Sequence, residues 1–179
     1  MKYKLLIFDL DGTAFATGGD SLPSSKIVQA VKMAKKHVLV SVATARQLFF
    51  LKDIFKIFDL DTPCIIMGGT MIIDPKTHKI IWQKILDVST VQQVASIVRK
   101  YPGEIILGDG PIYKNADDFE VGECQIIYLR NPERQITESI VNELKSITGI
   151  NYVITPSFIH GWLDIHITNI EATKKHAVE

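Results

Sequence analysis

The feature that constrains this chain most stands at its start. A continuous apolar run, Leu5-Leu6-Ile7-Phe8, ends abruptly in Asp9-Leu10-Asp11-Gly12-Thr13. Unbroken apolar runs of this kind suit a strand buried on both faces, as in a parallel sheet. In open α/β sheets ligands bind beyond the carboxyl ends of the strands, which is where Asp9 and Asp11 fall. Two carboxylates with one residue between them repel unless a proton or a cation neutralises them. Hard cations such as Mg2+ favour oxygen ligands of this type and usually retain water. Gly12 permits a sharp bend and the approach of backbone N–H groups to an anion. The bland alternative is an acidic turn after a strand. A calcium loop fails on spacing, because it needs glycine at the sixth position and Gly12 is the fourth counted from Asp9. No Gly-x-x-x-x-Gly-Lys-Ser/Thr stretch occurs, so an ordinary nucleotide P-loop is out.

The next segments repeat the alternation of strand and helix. After a Gly/Ser/Pro-rich loop over 17–23, Ser24 is a good N-cap for a helix carrying Ile27, Val28, Val31 and Ala34. Val38 to Val42 and Cys64 to Met67 read as two further buried strands. Between them 46–58 reads as an amphipathic helix with Leu48, Leu51, Ile54, Phe55 and Phe58 on one stripe. This order predicts a parallel α/β sheet. The pattern then changes. Residues 71–82 read as a hairpin around Asp74-Pro75-Lys76-Thr77. Beyond it come a helix capped at Ser89 or Thr90, strands near 104–107, 112–115 and 125–129, a helix over 133–147, and strands over 151–155 and 162–167. Helix-strand-strand occurs twice, which predicts a small α+β unit around an antiparallel sheet. The expected organisation is a core of residues 1–85 with 169–179, interrupted by an inserted unit at 86–168. A further helix is expected from Asn169 onward.

Composition narrows the function. The 179 residues carry 20 Lys+Arg against 20 Asp+Glu, which argues against a nucleic-acid binder working through bulk positive charge. No apolar run approaches the ~18 residues that span a bilayer. The apolar run at the start is shorter than the ~7–15 residues of a signal peptide. Cys64 and Cys124 are too few for a disulfide framework. The expected setting is the cytoplasm.

Three stretches together resemble a known family. Phe8-Asp9-Leu10-Asp11-Gly12-Thr13 resembles motif one of the haloacid dehalogenase-like (HAD) superfamily. Val40-Ser41-Val42-Ala43-Thr44-Ala45-Arg46 resembles motif two, and Thr173-Lys174-Lys175-His176-Ala177 the lysine region of motif three. The order and separations match as well, and the nearest subgroup is the Cof-type sugar-phosphate phosphatases, whose α/β cap is inserted between motifs two and three. The resemblance implies a HAD-like Rossmannoid parallel sheet with an inserted α+β cap. It implies a Mg2+-dependent phosphatase in which Asp9 attacks phosphorus and forms an aspartyl-phosphate. Asp11 would act as acid and then base. Mg2+ would sit between the Asp9 carboxylate, the Asp11 carbonyl and the phosphate. Thr44 and Gly12 would hydrogen-bond phosphoryl oxygens, and Lys174, rather than Lys175, would place positive charge beside Asp9. Read without the motif, Thr44 is a helix N-cap and Lys174 a solvated helix residue. Arg46 reads as a surface or helix-cap residue.

The departures are specific. Ala45 stands where the family usually has glycine, and Met67-Gly68-Gly69 where it often has Asn-Gly. The fourth motif, an acidic loop supplying a metal carboxylate, has no counterpart, which suggests a truncated chain, an incomplete gene, or a sheet edge covered by a partner. The expected partner at the open edge of the first strand is a second copy of the chain. In the inserted unit, Trp162, Asp164 and His166 alternate with Leu163, Ile165 and Ile167. The apolar set is expected to pack on the helices, and the polar set to meet a hydroxyl-rich substrate or face solvent. His160 reads as a loop residue. The leading expectation is a hydrolase of a small phosphorylated metabolite. The alternatives are a phosphomutase-like transferase and a catalytically impaired binding module.

Overall fold

In the computed structural model, which describes residues 3–15, 22–108, 113–115, 122–131, 133–157 and 161–179, the apolar run at the start forms strand β1 (Leu5–Phe8). It pairs in parallel with β2 (Leu39–Val42), Leu5 opposite Leu39 and Phe8 opposite Val42. A parallel pair needs a crossover, and helix α1 (Ser25–Ala34) provides it, with the Ser24 hydroxyl accepting the Ile27 N–H. Helix α2 (Lys52–Phe58) buries Ile54, Phe55 and Phe58. The Phe58 ring meets Phe8 edge-on, centroids 5.8 Å apart, and stacks on Phe15 at 6.5 Å. Strand β3 (Cys64–Ile66) continues the parallel layer through a bridge between Ala43 and Ile65. It then pairs antiparallel with β4 (Met71–Ile73), which pairs with β5 (Ile80–Gln83). The Asp74 carboxylate fixes the expected turn by accepting the Lys76 and Thr77 N–H groups.

Two expectations fail here for physical reasons. β1 is not buried on both faces: Leu5 and Leu6 are 42% and 43% exposed. Among the described residues β1 hydrogen-bonds to one strand neighbour instead of two. The helix expected over 46–58 does not begin at Arg46. The Arg46 N–H donates to Thr44 Oγ1, and its carbonyl accepts the Met67 N–H, so neither group is available to a helix. Gln47 is extended, a short 3-10 turn occupies Leu48–Phe50, and α2 starts at Lys52.

These elements, with the C-terminal segment, make one compact unit, Met1–Gln83 with Thr173–Glu179; Lys84–Ala172 make a second. The second unit carries helices α3 (Val88–Val98) and α4 (Arg134–Leu144). Its antiparallel sheet has five strands: β6 (Glu104–Gly108), β7 (Tyr113–Asn115), β8 (Ile126–Asn131), β9 (Ile150–Pro156) and β10 (Leu163–Asn169), in the order β7-β6-β8-β10-β9. Val91, Val94 and Val98 of α3 and Ile140 and Leu144 of α4 pack with Leu107, Ile127, Leu129, Ile165 and Ile167 of the sheet. The expected cap of α3 at Ser89 or Thr90 is instead Asp87, whose carboxylate accepts the Thr90 N–H at 2.8 Å. That hydrogen bond, with others from Ser89 and Thr90, holds the Asp87 carboxyl below its usual range.

The helix expected from Asn169 starts later. β10 runs on through Asn169, whose side-chain amide donates to the Ile85 carbonyl, and helix α5 (Lys174–Val178) follows the Thr173 cap. No helix among the described residues is long and apolar enough to cross a membrane. The loop positions 17–21, the turn at 109–111 and His160 lie outside the described residues.

Candidate active site

The site is built on the loop that leaves β1. Leu10 is fully buried, and its carbonyl accepts the N–H groups of Thr13, Ala14 and Phe15. That knot turns Leu10 inward and leaves the carboxylates on either side partly exposed. Asp9 Oδ1 accepts the Leu10 N–H at 2.8 Å and meets the Lys174 ammonium at 2.9 Å. Asp9 Oδ2 has no protein partner among the described residues. Gly12 makes the expected bend at φ 73°, but its N–H donates to the Phe15 carbonyl at 3.0 Å. As a donor to phosphate, Gly12 must first give up that bond.

Lys174 reaches Asp9 because α5 starts close to the loop after β3. Thr173 Oγ1 accepts the His176 N–H and fixes the start of the helix. Gly69 sits against that start at φ 108°. A Cβ placed there would lie 2.2 Å from the Thr173 carbonyl carbon and 2.4 Å from the Lys174 nitrogen. Only glycine leaves room for the backbone to come so near. Gly69, which the sequence presents as part of a missing polar contact, is thus a packing residue for the lysine. Lys175 turns to Glu179 instead.

Asp11 is paired separately. Arg46 grips its carboxylate with Nη2 at 2.6 Å from Oδ1 and Nε at 2.9 Å from Oδ2 and 3.2 Å from Oδ1. The Arg46 guanidinium also lies 5.0 Å from the Phe15 ring centroid. This partnership was invisible in the sequence, where Arg46 falls inside an apparently helical pattern. Thr44 is fully buried, and its hydroxyl oxygen accepts the Arg46 N–H at 3.1 Å. It braces a bend, not the helix cap that a reading without the motif gives it. The contacts form two groups on the loop after β1: Asp9 with Lys174, and Asp11 with Arg46, whose N–H is held by Thr44.

The oxygens that remain are of the type a small hard cation takes. Asp9 Oδ2 and the Asp11 carbonyl carry no protein donor among the described residues, and Mg2+ commonly takes one or two protein oxygens and fills the rest with water and phosphate. No group of three or more His, Cys, Asp or Glu side chains gathers among the described residues. An open carboxylate oxygen beside an ammonium can attack an electrophile, and a second carboxylate two residues on can move a proton.

In the second unit, Asp164 and His166 share the sheet face opposite Ile165 and Ile167. Their cross-strand neighbours on β8 are Arg130 and Tyr128. Asp164 is 7% exposed and pairs with Arg130 Nε at 3.2 Å. The His166 ring lies 4.1 Å from that of Tyr128 and 3.3 Å from Thr155 Oγ1. Burial drives its pKa down to about 4; Asp164 opposes that and Arg130 adds to it. Trp162 stands just before β10, its carbonyl accepting the Ser157 N–H.

The chain was compared with known proteins. A family model described as haloacid dehalogenase-like hydrolase matches residues 6–160. Among solved structures, a haloacid dehalogenase-like hydrolase from B. subtilis superposes with a TM-score of 0.79 at 15% identity, over 98% of this chain and 76% of that one. One from Bacteroides thetaiotaomicron gives 0.77 at 14% identity, over 99% and 75%. A sugar phosphatase of HAD subclass IIB gives 0.73 at 16%, over 98% and 74%. At such identities these likenesses establish the fold. No curated protein matches the chain.

Two outcomes follow from this geometry. Gly69→Ala will lower stability to urea by about 2 kcal/mol or more through strain at positive φ, and a crystal structure of the variant will show Lys174 beyond about 4 Å from Asp9, outside ion-pair range. The second concerns pH. An unfolded histidine titrates near 6.5 and His166 near 4, so between these values the unfolded chain binds more protons. Stability will therefore fall as pH drops from about 6.5 towards 4, by about 1.4 kcal/mol per unit of pKa difference at most. Urea midpoints will show the slope, and His166→Asn will flatten it.

Proposed function

Because the chain belongs to the haloacid dehalogenase-like hydrolases, we propose that it hydrolyses the phosphomonoester of a small metabolite, a sugar phosphate or a similar compound, through Asp9. The observation that carries the reading is Asp9 itself: one oxygen is held by Lys174 and the Leu10 N–H, while the other stands open at the carboxyl end of β1. A nucleophile needs such an accessible lone pair.

In this reading Asp9 Oδ2 attacks phosphorus, an O–P bond forms, and the bond from phosphorus to the leaving oxygen breaks. Asp11 gives its proton to that oxygen, then takes one from the water that opens the aspartyl-phosphate. Lys174 keeps positive charge against Asp9 and the incoming phosphoryl group. The Thr44 hydroxyl accepts from Arg46, so its own hydrogen is available to a phosphoryl oxygen. The carboxylate of Asp9 and the carbonyl of Asp11 would hold Mg2+, which would supply charge against the anionic phosphate. In the second unit, read as the cap, Asp164, His166 and Trp162 are the residues whose chemistry suits hydroxyl groups. A histidine kept neutral there suits hydroxyl groups better than a second phosphate.

We also propose that a second copy of the chain covers the open edge of β1. Leu5 and Leu6 on β1 are 42% and 43% exposed, and an open apolar edge is a pairing surface.

The test of the hydrolase is the release of inorganic phosphate from an aryl phosphate in Mg2+. Asp9→Asn will lower it by about three orders of magnitude or more, as loss of a covalent nucleophile does; equal rates in the two proteins remove Asp9 from the reaction. For the edge, sedimentation velocity will report a dimer, and a well-behaved monomer at high concentration overturns that pairing.

A further inference from the structure

We propose that Arg46 is a positioning residue for proton transfer, acting through Asp11 and not through the substrate. The inference rests on the phosphatase reading given above and adds a residue to its machinery.

A general acid works only when it lies within hydrogen-bond reach of the leaving oxygen. Asp11 belongs to a loop, bends away at Gly12, and its side chain is 42% exposed. Left alone, such a side chain samples several rotamers, and holding it in one costs entropy. The guanidinium of Arg46 meets that cost. Its planar fork engages both carboxylate oxygens and so sets the plane of the group as well as its direction.

Arg46 is itself held rigidly. Its side chain is 14% exposed and lies over the Phe15 ring, which is buried and stacked on Phe58. Its N–H is fixed to Thr44 Oγ1 and its carbonyl to the Met67 N–H. Phe15 also closes the Asp11 loop, since its carbonyl accepts the Gly12 N–H. One aromatic ring therefore supports the arginine while its backbone shapes the turn that carries the aspartate. The hydrogen bonds from Nε and Nη2 run to Asp11, so the geometry directs Arg46 at the proton carrier.

The distinguishing property is sensitivity to the leaving group. A nitrophenolate departs without a proton, whereas an alkoxide needs one. Rates of phosphate release are to be measured for 4-nitrophenyl phosphate and for a simple alkyl phosphate, with wild type, Arg46→Gln, Arg46→Lys, Asp11→Asn and the Asp11→Asn/Arg46→Gln double variant. The ratio of the two rates within one preparation does not depend on how much of the protein is folded.

Arg46→Gln should lower kcat on the alkyl ester on the order of 10²-fold, as misplacement of a catalytic group does, with the loss on the aryl ester at least about tenfold smaller. KM should stay within about twofold on both, the sign of an interaction made only in the transition state. Arg46→Lys keeps the charge and loses the fork, so it should behave like the glutamine variant. In the Asp11→Asn background Arg46→Gln should change the ratio no further.

Equal losses on both esters, a rise in KM on both, full activity with lysine, or an additive double variant each overturn the inference. If Asp11→Asn shows the selective loss and Arg46→Gln does not, the phosphatase reading stands and the role of Arg46 falls. If wild type releases no phosphate from either ester, the phosphatase reading fails and takes the inference with it.

Discussion

Two carboxylates one residue apart cannot share a strand end without help. The rest of the site is arranged around that repulsion. The chain answers it with two separate cations from distant segments: Lys174 for Asp9 and Arg46 for Asp11. Each needs its own support. Lys174 depends on Gly69, where a side chain would strike the peptide joining Thr173 to Lys174. Arg46 depends on Thr44 and Met67, which take its backbone out of helical geometry, and on Phe15 beneath its guanidinium. Leu10, fully buried between the two acids, anchors the loop that carries both.

What the sequence made legible follows the range of the interaction. The strand before Asp9 and the capped helix after Ser24 are written in neighbouring residues, and both form. Apolar residues recur at helical spacing in α3 and α4, and Val91, Val94, Ile140 and Leu144 pack with the sheet. Lys174 was found through the motif resemblance. Nothing local separates it from Lys175, and what does is the direction in which α5 leaves Thr173. Arg46 was missed for the opposite reason. Its neighbours continue a helical stripe, and the contacts that take it out of the helix, Thr44 Oγ1 and the Met67 N–H, are not written in that stripe. Gly69 could not be understood from sequence at all, because its positive φ answers a backbone that arrives from the far end of the chain. In the second unit, the alternation of Asp164 and His166 was visible, while Arg130 and Tyr128 opposite them are set by the register of β8 on β10.

The same range argument explains β1. Its apolar run looks like an interior strand, and in a sheet with neighbours on both sides it would be one. Here its described hydrogen bonds reach β2 alone, so Leu5 and Leu6 stay partly in water although their side chains are as apolar as those of Val40 and Val42. Hydropathy reports what a residue would gain by burial; what packs on its face of the sheet decides whether it is buried.

In the phosphatase reading, the hydrogen bonding of the two acids also divides the roles proposed for them. Asp9 keeps one oxygen without a protein partner, which a nucleophile or a metal ligand requires, while both oxygens of Asp11 are engaged by Arg46. An acid gripped on both oxygens is poorly placed to attack but well placed to be aimed. The charges point the same way. With both acids ionised, Asp9 and Asp11 with Lys174 and Arg46 sum to zero, and to one positive charge when Asp11 carries the proton it gives away; a phosphate monoester brings about two negative charges at neutral pH. Neither sum matches the charge of such an anion, so in the phosphatase reading a divalent cation held by Asp9 and the Asp11 carbonyl would balance the substrate. Cation and substrate affinity at this site are then linked, each strengthening the other by the same factor.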